Sequence, residues 1–256
     1  MLNSNIANTR GDRLERPVPV YGPGSAGGLP PKYGGGESPT VNPDNPVPGT
    51  AEMTKALHAA YAYSHNIFLR DYASGVPDIR TLNDVHEIAI PASSSATYKN
   101  SAPRMRPFEI YRDDKVAVTA TLVPHGIVFP AYAYRFDTEY GSVTFSGDTS
   151  RSNNLVEMAH GTDILVHEAI GVEGAGLDEA ALNHMLQGHV LIDDVGAVAE
   201  EAGAKHLIIS HYKDLASPRV DVAKWRQLAQ RGYGGRATIG QDLDRFALPL
   251  PGRGRH

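Results

Sequence analysis

Short apolar runs separated by turn residues dominate the second half of the chain, and their texture shifts along it. Over 87–90, 108–111, 116–123 and 129–136 the runs are β-prone and closely spaced, which predicts consecutive strands of an antiparallel sheet. A further strand at 143–145 ends in Ser146-Gly147-Asp148-Thr149. From there helix-length segments alternate with strands: a helix at 153–159, a strand at 164–166, a helix at 192–202, a strand at 207–210, a helix near 220–230, and a last strand pair near 237–239 and 245–247. Such alternation predicts a layered α/β half. Towards the N-terminus, Leu57, Ala60, Tyr61, Ile67 and Phe68 recur at near-helical spacing in a stretch without Gly or Pro, predicting an amphipathic helix over 50–72.

Between 17 and 48 the chain is crowded with Gly and Pro, including Gly34-Gly35-Gly36, so only a short strand at 18–21 is expected there. The tail after Pro249 is expected to be loose. With 256 residues and 41% hydrophobic content, there is enough apolar material for a sizeable core. A formal charge of −5 supplies no global field for nucleic acid, although a local basic patch is compatible with it. The absence of cysteine excludes disulfides and thiolate ligands, so any metal must be held by His, Asp or Glu. No apolar run approaches the roughly 20 residues needed to span a bilayer, and the polar first 17 residues do not read as a signal peptide. The compartment defaults to the cytoplasm.

Three segments put metal-competent side chains where a strand leaves its sheet: Val123-Pro124-His125-Gly126, Phe145-Ser146-Gly147-Asp148-Thr149 and Ile208-Ile209-Ser210-His211-Tyr212. Imidazole and carboxylate are the ligands that suit Zn²⁺ in a cysteine-free site, and a carboxylate can bridge two ions. Each segment alone is more often a hydrogen-bonded strand end or a turn than a ligand site. A fourth, running from Asp163 to Ala169, ends a strand in His167-Glu168, and Gly188-His189 follows about twenty residues on. Glu168 could thus orient His189 for proton transfer; the plainer alternative is a capped strand and an exposed loop histidine.

Taken in order, these segments resemble the C-terminal part of the metallo-β-lactamase superfamily, in its ribonuclease Z and arylsulfatase-like branch, over roughly residues 17–248. Pro19-Val20-Tyr21-Gly22-Pro23 is similar to the strand and turn that follow the family's main metal motif. The resemblance implies an α/β (α+β) fold, the four-layer αβ/βα sandwich, with one domain over 1–249 that contains the 17–48 loop and an inserted 50–72 helix. It implies two ions, usually Zn²⁺, with His125 on one, Asp148 bridging and His211 on the other. Glu168 and His189 would form a proton-relay pair. Hydrolysis by metal-activated hydroxide would follow, with Asp148, Glu168 and His189 as catalytic residues. Implied partners are a small-molecule ester or phosphodiester, with RNA a further candidate, and a homodimer; no membrane is implied.

Two departures shape the expectation. The family's His-x-His-x-Asp-His is absent, since no two of the eleven histidines stand two residues apart. Three protein ligands would leave about two per ion, below the three or four of ordinary zinc sites, so the chain is expected to bind metal poorly and to lack the first strands, as if truncated or begun at an internal methionine. Around His189, Gly188-His189-Val190-Leu191-Ile192-Asp193-Asp194 replaces a Ser-rich segment of the ribonuclease Z branch. The leading reading is a metal-dependent hydrolase, with phosphodiesterase, ribonuclease Z-like activity its best form. The alternative is a non-catalytic truncated remnant acting through partner contacts. Tyr61 and Tyr63 on the 50–72 helix are read either as packing residues or as a cover over the active-site mouth.

Overall fold

The computed structural model describes residues 16–71 and 77–248, so the tail expected to be loose after Pro249 and the last residue of the 50–72 helix lie outside the described residues. The chain divides into two compact units, Met1–Ile90 and Pro91–His256.

In the first unit, β1 (Val18–Pro23) pairs in parallel with β2 (Asn83–Ile88). The strand expected at 87–90 therefore begins earlier and joins β1, not the antiparallel run that follows it. Backbone pairing over six residues, Val18 with Asn83 through Pro23 with Ile88, outweighs the weak local pattern. Between these strands the 50–72 segment forms two helices, α1 (Thr50–Ala60) and α2 (Ala62–Asp71). They part at Tyr61, whose backbone at φ −97°, ψ 7° leaves the helical region. Tyr61 and Tyr63 are exposed while His65 is buried, so neither tyrosine is a core residue.

The second unit is built on one seven-stranded sheet in sequential order. Its strands are β3 (Phe108–Arg112), β4 (Val116–Leu122), β5 (Tyr132–Thr138), β6 (Gly141–Phe145), β7 (Ile164–Gly171), β8 (His206–Asp214) and β9 (Arg236–Ile239). Pairing is antiparallel from β3 to β6 and parallel from β6 to β9. Parallel neighbours need long crossovers, and helices supply them: α3 (Asn153–Met158), α4 (Glu179–Leu186), α5 (Val195–Glu201) and α6 (Val222–Ala229). Residues 245–247, expected as a strand, have no ladder partner, and α4 was not expected.

Local chemistry fixes where these helices begin. Ser152 Oγ accepts from Leu155 N, Asp178 from Ala181 N, and Asp221 from both Ala223 N and Lys224 N, each satisfying amides that a first turn leaves unpaired. Helices α3, α5 and α6 touch one another in succession and pack on β4, β7 and β9. Between them and the sheet lie the fully buried Leu155, Leu165, Val195, Val198, Leu207 and Ile209. Gly171 lets Trp225 approach: a Cβ there would stand 2.8 Å from its indole.

One consequence of the topology positions the site. Strands β4 and β6 run the same way, being separated by the antiparallel β5, and β7, β8 and β9 run parallel to β6. All five therefore end at one edge of the sheet, and β3 starts there. Open sheets gather their ligands at this carboxyl edge.

Candidate metal centre

His125 stands three residues past the end of β4, and Asp148 three past the end of β6. Their loops are tied together by Ser150 N, which donates to Pro124 O at 2.8 Å. The turn carrying Asp148 leaves the sheet through Gly147 at φ +61°, where a Cβ would lie 2.5 Å from Tyr132 O. Only glycine fits such a position without strain. Ser146 Oγ accepts from Glu168 N at 3.1 Å, holding the start of this loop against β7.

Strands β7 and β8 carry the other groups through an irregularity. Their register runs His167–Ile209 and then Ala169–Tyr212, so Glu168 faces two residues, Ser210 and His211. This is a bulge, and bulges re-aim side chains beside functional sites. His211 takes φ +50° within it, and its Nε2 lies 3.2 Å from Asp148 Oδ2. Strand β7 does not end at His167-Glu168 as expected from sequence but continues to Gly171. The ladder resumes after the bulge, which puts both residues inside the protein.

His125, Asp148 and His189 offer ligand atoms that all lie within 4.8 Å of one another. His125 Nδ1 is 2.9 Å from Gly188 O; because a carbonyl can only accept, Nδ1 carries the proton and Nε2 keeps the lone pair. That Nε2 is 3.8 Å from Asp148 Oδ2. Ligand atoms sharing one zinc at about 2.1 Å stand roughly 3–4 Å apart, so the spacing suits an ion between them. The second nitrogen of a metal-binding histidine usually bonds a carbonyl or carboxylate in this way. His189 Nδ1 faces Glu168 Oε2 at 3.2 Å, and Glu168 Oε1 accepts from Val190 N at 2.7 Å. The rings of His125 and His189 meet edge to face, 5.2 Å apart.

Burial governs the electrostatics. It pushes the Glu168 carboxyl up to about 8, with the Asp148 charge adding to it and the Val190 amide opposing. Burial, then the neighbouring His125, holds His189 below the usual imidazole value. A neutral His189 keeps a lone pair, available to an ion or to a proton. His167, fully buried with Nδ1 2.7 Å from Glu168 O, is lowered to about 4; its Nε2 has no hydrogen-bond partner among the described residues.

The structure thus brings His125, Asp148, Glu168, His189 and His211 to one edge. Sequence reasoning gave His189 to a relay and missed that it also stands within ligand distance of His125 and Asp148. It also missed the Gly188 carbonyl, a backbone group that leaves no mark in a side-chain pattern.

Comparison with known proteins bears on this arrangement. No family model matches the chain. A putative ribonuclease Z of Mycobacterium tuberculosis (strain CDC 1551 / Oshkosh) is 26% identical over 205 residues, 78% of this chain and 81% of the relative. The ribonuclease Z of Mycobacterium avium (strain 104) is 30% identical over 143 residues, 56% of this chain and 51% of the enzyme; the chain spans about half the length of that relative. The short form of human tRNase Z superposes over 92% of this chain and 68% of its own, with a TM-score of 0.52 and 16% identity. The chain is a metallo-β-lactamase-fold protein related to ribonuclease Z. Its cluster at the carboxyl edge of the large sheet is accordingly the candidate metal centre of that fold, and among the described residues no helix is long and apolar enough to cross a membrane.

Proposed function

We propose that this chain carries a ribonuclease Z-like, metal-dependent phosphodiesterase site acting on RNA. The observation that carries the reading is the convergence of His125, Asp148 and His189 within ligand distance, with a buried Glu168 behind His189. Sequence relatives named ribonuclease Z favour a phosphodiester in RNA over a small-molecule ester.

The donors are neutral imidazoles and one carboxylate, a set that fits Zn²⁺. One ion would take His125 and Asp148, with His189 as a third donor. A second would share Asp148 with His211. Three protein ligands suffice for a catalytic zinc, whereas the second ion would have two, so a single ion is the better fit. A divalent ion bound here would acidify water and offset charge developing on phosphorus. The chain's own residues orient the donors: the Gly188 carbonyl fixes the His125 tautomer, and Glu168 holds His189 Nδ1. With Nδ1 held, His189 presents Nε2, the atom that would complete the ion's three donors.

The test is zinc content by elemental analysis of the purified chain and of Asp148→Asn, with hydrolysis of a chromogenic phosphodiester and of a tRNA in the same samples. About one zinc and cleavage of both substrates, lost together in Asp148→Asn, is the expected result. Metal-free protein that cleaves neither would overturn the reading.

A further inference from the structure

Residues 91–107 hold three cations, Lys99, Arg104 and Arg106, and no acid, within a chain whose net charge is −5. They shape one side of a cleft of about 630 Å³ lined by Ser93, Ser94, Arg104, Arg106 and Phe108, with Glu157 as its one carboxylate. Arg104 meets Glu157 at 3.7 Å, outside direct hydrogen-bond reach, and among the described residues Arg106 pairs with no carboxylate.

The two guanidinium groups are mounted on pinned backbone. Met105, between them, is buried, and its N–H donates to Asn154 Oδ1 at 3.1 Å. Asn154, 3% exposed, donates in turn to Pro103 O at 3.0 Å and to Leu122 O at 2.9 Å. One buried amide thus fixes the chain on both sides of Arg104 and ties it to the last residue of β4. Held in this way, the arginines lose little further backbone freedom when they engage a ligand.

Topology places this cleft at the end of the sheet that carries the candidate metal centre. Phe108 opens β3 opposite Ala120 of β4, at the edge where β4 runs out towards His125. Glu157 and Asn154 belong to α3, the helix that follows the Asp148 loop. Planar guanidinium forks suit phosphate oxygens, and serine hydroxyls are common backbone contacts to nucleic acid. Phe108 adds an apolar wall of the kind against which a sugar or base packs.

We infer that Arg104 and Arg106, with Ser93 and Ser94, form a phosphate-backbone subsite that holds an RNA strand at the sheet edge carrying His125 and Asp148. This rests on the ribonuclease Z-like reading for its choice of strand, but its test does not depend on turnover. Binding of a fluorescent single-stranded RNA is followed by anisotropy in EDTA across a salt series, for the chain and for Arg104→Ala/Arg106→Ala. Each lost phosphate contact lowers the slope of log affinity against log salt by about 0.7, so the double variant is expected to lose about 1.4 and the double lysine variant to retain most of it. An unchanged slope in a double alanine variant with an unchanged melting curve would overturn the subsite, as would absence of RNA binding by the chain itself. Hydrolysis of the chromogenic diester by the zinc-loaded chain decides the other question. A chain that binds RNA through these arginines without hydrolysing the diester keeps the subsite and loses the phosphodiesterase reading; a hydrolase whose RNA binding ignores them does the reverse.

Discussion

His125 Nδ1 and the carbonyl oxygen of Gly188 stand 2.9 Å apart across 63 positions of sequence. This contact joins the loop after β4 to the loop after α4 and sets the imidazole tautomer. Because Gly188 is followed directly by His189, it also fixes the spacing between the two histidines.

Gly188→Ala should disturb that contact. The added Cβ would stand 3.2 Å from His125 Nδ1, so the ring must shift by a few tenths of an ångström. A misaligned partner of a metal-binding histidine costs roughly 10–100-fold in metal affinity. Zinc titration by calorimetry against wild type checks this, and equal affinity would show that the ring needs no carbonyl.

Gly147→Ala should be destabilising whatever the metal does. At φ +61° an alanine is strained, and its Cβ would press on Tyr132 O at 2.5 Å. The expected loss is at least about 2 kcal/mol, read as a lower urea midpoint with an unchanged slope.

Asn154→Ala should cost about 2–4 kcal/mol, because it strands the Met105 amide and the carbonyls of Pro103 and Leu122, with about 1–3 kcal/mol for each group left buried and unpaired, partly relieved by water. Chemical denaturation measures the loss. Protection of the Met105 amide from hydrogen exchange should fall with it.

The metal-free chain should show opposing pH effects from adjacent residues. Glu168 has a carboxyl raised from 4.5 to about 8, so folding favours its protonated form: that stability is complete below about 4.5 and is lost as pH rises through 8. His167 is lowered from 6.5 to about 4, so its stability is complete above 6.5 and is lost as pH falls through 4. Each can contribute at most about 1.4 kcal/mol per pH unit. Urea unfolding of Glu168→Gln in EDTA should lose the alkaline decline and keep the acid one. An alkaline decline of unchanged size would place its origin elsewhere.

Much of the framework was legible in the sequence because strands with one or both faces in the core carry their periodicity locally. The strands at 108–112, 116–122 and 141–145 and the helix at 153–158 fall within a few residues of their expected places, with Ser152 marking a helix start. His125 and Asp148 follow apolar strands as expected, whereas His211, expected where its strand leaves the sheet, lies inside β8 at the bulge, because the ladder with β7 resumes beyond it. Helix α4 escaped notice because none of its residues is buried, which leaves only a weak apolar stripe. The 245–247 run failed as a strand for the opposite reason: a β-prone sequence forms no ladder unless a neighbouring edge accepts it.

The sequence by itself determined an α/β chain without thiols, with histidines and one aspartate in or just beyond its apolar strands. Only the tertiary structure decided that these residues share one edge, that a bulge of two residues against one turns His211 towards Asp148, that burial raises Glu168, and that one asparagine sets two arginines beside the same edge. The reason is physical: side-chain type and periodicity are local properties, whereas register, burial and hydrogen bonds to distant carbonyls exist only after the chain has closed on itself.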